Sequence, residues 1–100
     1  VQSPTEAPIT DPVAAGKLIV TQGACASCHA VAGTAAKGAV GPALDGIANR
    51  KLGGVADFNA ANVKKWVTNP SSLKPGSSMP PYALKDSYLD AIAAYLATLK

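Results

Sequence analysis

Apolar positions recur at helical spacing in three stretches of the chain, and no stretch alternates convincingly at the two-residue period of a strand. In the last stretch, Leu89, Ile92, Leu96 and Leu99 fall on one face, which predicts a helix over about 86–99. The first begins at Asp11-Pro12, a good cap followed by a residue suited to the first helical position, and ends at Gly23. Gly16 lies inside it, at a cost in helix stability, and marks a place where another backbone comes close. A middle helix is predicted over about Ala60–Thr68, with Asn59 or Asn62 as its cap and Asn69-Pro70 as its stop.

The segments between these helices are rich in breakers. Residues 24–58 hold six glycines and read as loops, with one short helix around Leu44–Asn49. Residues 70–83 contain Pro70, Pro75, Gly76, Pro80 and Pro81, so no regular element is predicted there. Residues 1–12 place proline at 4, 8 and 12 and read as an extended linker or tether, with a loose terminus as the alternative. The pattern therefore predicts one all-α domain over residues 13–100.

Composition adds that this domain has a thin core. Of the chain's 100 residues 48% are apolar, but twenty are alanine and only 5% are aromatic. A chain of this length buries about two thirds of its unfolded surface. Domains this small usually need a disulfide, a metal or another staple, so a core component is expected beyond the side chains. A multi-domain enzyme, a collagen-like chain and a fully disordered chain are excluded. The net charge of +3 is scattered and too small to argue for nucleic acid. The longest uncharged run, Leu18 to Ala36, is too polar and too interrupted by glycine to span a bilayer. No basic start with an apolar run is present, so the chain is expected to be cytoplasmic, already processed, or an excised piece.

The densest chemistry is Cys25-Ala26-Ser27-Cys28-His29, the C-x-x-C-H pattern of c-type haem attachment. Two cysteines separated by two residues can reach both vinyl groups of a haem, and the next residue then lies under the iron. Three other readings compete. A redox-active C-x-x-C usually follows a strand in a βαβ unit, and no such unit is visible here. A disulfide between such near neighbours would close too short a loop to stabilise much. Structural zinc wants four ligands, and the chain has two cysteines and one histidine. Met79, the only methionine, lies in the proline-dense segment Lys74-Pro75-Gly76-Ser77-Ser78-Met79-Pro80. A lone methionine is often a core filler, but this loop can carry its thioether to the far face of a haem. A lysine ligand or an open position are the other possibilities there. A Met/His pair raises the reduction potential.

With these residues the chain resembles the class I monohaem cytochromes c. The likeness is carried by Cys25 to His29, by Gly41-Pro42-Ala43-Leu44-Asp45-Gly46-Ile47-Ala48-Asn49-Arg50, by Asn69-Pro70 through Pro75-Gly76 to Met79, and by the ending Tyr95-Leu96-Ala97-Thr98-Leu99. Order and spacing agree over about residues 13–99. Within the family the chain looks most like bacterial cytochromes, including the cytochrome domain at the end of subunit II of caa3-type oxidases.

The resemblance implies a small all-α fold, three to four helices wrapped round one covalent haem c, with the first and last helices crossing at Gly16 and Tyr95. It implies that Cys25 and Cys28 carry the haem, that His29 and Met79 are its axial ligands, and that the Pro42 carbonyl accepts from His29 Nδ1–H. Arg50 is placed near a propionate, with a plain surface arginine as the alternative. Trp66 is placed in the pocket wall on the Met79 side, its N–H serving a propionate, and Ser77 donates a hydrogen bond nearby. Tyr82 covers part of the haem edge or is an ordinary surface tyrosine. Two departures are visible. The first helix lacks an aromatic near Leu18, and Lys85 replaces the usual cap of the last helix, leaving that task to Asp86.

The function implied is one-electron transfer in a respiratory chain by a carrier rather than an enzyme, either free or as a domain of an oxidase complex. Its donor would be a quinol-oxidising complex or another redox protein, and its acceptor a terminal oxidase. The domain is expected to be monomeric, periplasmic or on the extracytoplasmic face of a membrane, with residues 1–12 as a membrane tether. Lys37, Lys64, Lys65, Lys74 and Lys85 would ring the haem edge and meet an acidic partner, or docking would be apolar. The alternatives are a haem enzyme or sensor from which Met79 dissociates, and a thiol–disulfide oxidoreductase.

Overall fold

The computed structural model describes residues 11–77 and 79–100. Three α-helices form its frame: α1 (Pro12–Gln22), α2 (Ala60–Thr68) and α3 (Asp86–Leu96). Short 3₁₀ turns lie at Ala24–Ser27, Ile47–Asn49 and Pro70–Ser72. Among the described residues there is no strand, only single antiparallel bridges between Ala30 and Lys37 and between Leu52 and Ala56. Residues 1–10 of the expected tether lie outside the described residues. Its last two residues, Asp11 and Pro12, are the cap and first residue of α1.

Capping sets where the helices begin. The Asp11 carboxylate accepts from the Ala14 N–H at 3.2 Å. The Asn59 side chain accepts from the Asn62 N–H at 2.8 Å, so Asn59 rather than Asn62 caps α2. Asn59→Ala is expected to cost about 1 kcal/mol, read as a lower denaturant midpoint with an unchanged slope. At the start of α3, Lys85 stands at the cap position and Asp86 is already the first helical residue, which corrects the expectation that Asp86 caps. Its carboxylate turns instead to Lys64 Nζ at 2.8 Å, and Asp90 joins the same ammonium at 2.9 Å. These contacts tie α2 to α3.

α3 ends at Leu96, three residues before the apolar pattern does. The Thr98 and Leu99 N–H groups bond three residues back, at 2.9 and 3.0 Å, and the Thr98 hydroxyl takes the Tyr95 carbonyl at 2.6 Å. The Leu99 carbonyl accepts from the Ala48 N–H at 3.1 Å. Leu99 still packs on the core, because apolar spacing reports burial and not hydrogen-bond pattern. The short helix expected over Leu44–Asn49 contracts to the turn Ile47–Asn49, entered through Gly46 at φ +74°. A further turn at Pro70–Ser72 was not expected; there the Ser72 N–H and hydroxyl both bond the Asn69 carbonyl.

The core joins Ile19 and Val20 of α1, Val63 and Val67 of α2, and Leu89, Ile92 and Leu96 of α3 with Val31, Leu44 and Leu52 from the loops. The crossing of α1 and α3 is as the resemblance implies. A Cβ built on Gly16 would lie 2.0 Å from the Ala91 carbonyl oxygen and 2.7 Å from Tyr95 Cβ. Only glycine lets the two backbones come this close.

Candidate functional site

The attachment segment follows directly from the end of α1. Gly23 breaks the helix with its N–H on the Ile19 carbonyl, and the chain tightens into the turn Ala24–Ser27. The Cys25 carbonyl accepts from both Cys28 N–H (3.2 Å) and His29 N–H (2.9 Å). One turn of backbone thus brings Cys25, Cys28 and His29 to the wall of a single cavity of about 540 Å³.

The loop after it grips the histidine. A Cβ on Gly38 would lie 2.5 Å from the Cys28 carbonyl carbon, and one on Gly41 would lie 2.5 Å from His29 Cε1. The Gly41 N–H donates to the Cys28 carbonyl at 2.7 Å. His29 Nδ1 is 2.7 Å from the Pro42 carbonyl oxygen. A carbonyl can only accept, so Nδ1 carries the proton and Nε2 keeps its lone pair. Pro42 is where the sequence resemblance put it. Gly38 was not anticipated; an isolated glycine in a loop is its only trace in the sequence.

Met79 and Ser77 line the same cavity, and the Ser77 hydroxyl accepts from the Met79 N–H at 3.4 Å. The Ser77 hydroxyl keeps its own proton to donate. Trp66 lines the cavity too, and its indole N–H donates to Met79 Sδ at 3.1 Å. Arg50 reaches the cavity wall with its guanidinium on the Ala43 and Asp45 carbonyls. Tyr82 is half-buried in the wall, where burial, and after it the neighbouring Cys25 and Cys28, push its phenol above the ordinary value.

Of the five lysines expected round the haem edge, Lys74 lines the cavity wall itself, with Nζ on the Gly53 carbonyl at 3.1 Å. Lys64 is held by Asp86 and Asp90, whose hydrogen bonds raise its pKa. Lys51, which was not expected, also reaches the cavity and pairs with Asp57 at 3.7 Å.

The residues present fit a haem. The donor set is two thiols, an imidazole with Nε2 available and a thioether, and the wall between them is largely aliphatic: Val20, Leu44, Leu52, Val63, Ile92 and Leu96. No three His, Cys, Asp or Glu side chains among the described residues cluster to hold a bare metal ion, which disfavours zinc. Cys25 and Cys28 form no disulfide, and burial pushes the Cys25 thiol up, opposite to the lowered pKa of an exchange nucleophile.

Comparison with known proteins agrees. Residues 13–100 match the family described as cytochrome c. The chain is 36% identical over 87 residues to a cytochrome c oxidase subunit 2 of Alkalihalophilus pseudofirmus, covering 85% of this chain and 25% of that protein. It is 35% identical over 104 residues to a cytochrome c2 of Rhodoblastus acidophilus, covering 90% of this chain and 94% of that one. It therefore spans about a quarter of the oxidase subunit and nearly all of the cytochrome c2. Its fold is similar to that of the c-type cytochrome SorU from Sinorhizobium meliloti, with a TM-score of 0.63 at 30% identity, covering 91% of this chain and 93% of that one. The chain belongs to the cytochrome c family, and as a member it carries one haem c, bound covalently through Cys25 and Cys28, and transfers electrons with it.

Proposed function

We propose that His29 and Met79 are the axial ligands of this haem, and that residues 13–100 form an extracytoplasmic electron carrier of a respiratory chain. A quinol-oxidising complex or another redox protein would be its donor and a terminal oxidase its acceptor. The observation that carries the axial assignment is the meeting of four donors on one cavity, with His29 turned by the Pro42 carbonyl so that Nε2 is available. When bound, the haem supplies a ferric/ferrous couple that gains or loses one electron.

The chain's own residues hold that couple steady. Pro42 fixes the imidazole plane and makes the ring more basic. Ser77 steadies the backbone of Met79. The aliphatic wall excludes water, and Arg50 offers a positive charge for a propionate. With His29 and Met79 as its ligands the iron would have a raised potential and would offer a substrate no position, as suits a carrier. The oxidase as acceptor is supported by the subunit 2 relatives, and a freely diffusing carrier by the cytochrome c2 relatives. The residues before α1 would serve as a tether in the first case.

The test is the ferric spectrum of the purified holoprotein. The parent is expected to be low-spin with the weak far-red band of thioether ligation, and Met79→Ala to lose that band and become high-spin. A parent that is already high-spin and lacks the band would make Met79 a labile ligand and favour the enzyme or sensor reading. For the acceptor, the reduced holoprotein is expected to be reoxidised by a solubilised terminal oxidase in a cyanide-sensitive reaction. Reoxidation at the same rate with cyanide present would remove the oxidase from the scheme.

A further inference from the structure

We infer that Lys74 is a positioning residue that clasps the loop carrying Met79 to the turn at residues 51–57, and that this clasp sets how often the loop opens to an outside ligand. This rests on the reading of Met79 as an iron ligand.

The turn is built to present one carbonyl. Gly53 and Gly54 have φ +57° and +75°, a left-handed pair that suits glycine. The Gly54 N–H bonds the Lys51 carbonyl at 3.4 Å, and the Leu52 carbonyl accepts from Val55 and Ala56 at 3.0 and 3.2 Å. The Ala56 carbonyl accepts from Leu52 at 2.7 Å, and Lys51 pairs with Asp57 across the base. The turn is thus closed on itself, while its Gly53 carbonyl accepts from Lys74 Nζ at 3.1 Å. The lysine stem lies alongside. A Cβ on Gly53 would be 3.3 Å from Lys74 Cδ and 2.3 Å from Trp66 Cη2, so glycine leaves room for both.

From Lys74 the restraint passes to Met79 along the backbone. The Lys74 N–H bonds the Pro70 carbonyl at 3.0 Å, and the Lys74 carbonyl accepts from the Ser77 N–H at 3.1 Å. The Ser77 hydroxyl in turn accepts from the Met79 N–H at 3.4 Å. Farther along, the Tyr82 N–H bonds the Val67 carbonyl at 3.0 Å, which fixes the end of the loop to α2. The loop therefore starts and ends at α2 and the turn after it, whereas Lys74 ties it to a segment that precedes α2. Leu52, Gly53, Gly54, Lys74 and Met79 all line the cavity, so the clasp lies on the cavity wall. For Met79 to leave an iron there, the loop has to lift away, and a charge-assisted hydrogen bond opposes that local opening.

The test is the exchange of the sulfur ligand for free imidazole in the ferric holoprotein. At imidazole concentrations where the rate no longer rises, loss of the far-red band reports loop opening. Lys74→Met keeps a similar stem and removes the ammonium. Its rate is expected to exceed the parent's about threefold to tenfold, the span associated with one hydrogen bond. Lys74→Arg restores a donor of similar reach and is expected to return towards the parent's rate. Lys17→Met removes the same charge from the exposed face of α1 and is expected to match the parent. Lys74 is itself exposed, so its variants are expected to fold and take up haem. The parent's rate in Lys74→Met would overturn the clasp. So would a Lys17→Met rate as fast as that of Lys74→Met, which would make the effect one of overall charge. A Lys74→Arg rate as fast as that of Lys74→Met would reduce Lys74 to packing and overturn it too. A parent without the far-red band would instead overturn the axial assignment, and this inference with it.

Discussion

Gly16→Ala is expected to destabilise the holoprotein by about 3 kcal/mol, at the upper end of overpacking costs. On an exposed helix the same change would stabilise, because alanine is the better helix former by about 1 kcal/mol. Here sterics reverse the sign. The added Cβ would sit 2.0 Å from the Ala91 carbonyl oxygen and 2.7 Å from its carbon, and both belong to the backbone of α3. No side chain can rotate away to make room. α1 and α3 must separate, and Ile19, Val20, Ile92 and Tyr95 lose packing together. In a domain of this size the midpoint of thermal unfolding is expected to fall by about 15 °C. Gly46→Ala is the control. Gly46 has φ +74° but nothing within 4 Å, so it meets backbone strain of only about 1–2 kcal/mol without a clash. A Gly16→Ala midpoint within a few degrees of the parent's would mean that the helices do not cross as described.

Blocking haem attachment, by Cys25→Ser with Cys28→Ser and omission of haem, is expected to leave a chain without a cooperative unfolding transition. The aliphatic side chains that would form an ordinary core here face a cavity of about 540 Å³. At ~24 cal/mol per Å³, holding such a space open with no occupant would cost on the order of 10 kcal/mol. That is comparable with the whole stability of a typical domain, roughly 5–15 kcal/mol. Filled by an apolar group, the same wall contributes about 25 cal/mol for each Å² removed from water. Helices of nine to eleven residues cannot offset the difference, since isolated helices of that length are marginal. Near-ultraviolet circular dichroism and a denaturant titration would check this. A sharp sigmoidal transition for the haem-free variant would show that the side chains alone make a sufficient core.

The two expectations differ in how far the sequence supports them. That a core component was needed follows from counting alanines and aromatics. That Gly16 meets another backbone follows from its place within an otherwise regular helix. The positions of α1 and α2 were legible because capping and breaking are local: Asp11, Asn59 and Asn69-Pro70 act within one turn of where they stand. The end of α3 was not legible, because the carbonyl of Leu99 is claimed by Ala48, about fifty positions earlier in the chain. Nor was the role of Asp86, since its partner Lys64 lies on another helix.

The sequence by itself determined the chemistry available here. Cys25, Cys28 and His29 are fixed relative to one another by one turn of backbone, and that relation survives in any fold that contains the turn. The tertiary structure alone decided how those groups are aimed. The Pro42 carbonyl that assigns the His29 proton and the indole that meets the Met79 sulfur each lie 13 residues from their partners. Hydrogen bonds between segments that far apart depend on where the intervening loops lead, and no local propensity encodes that path.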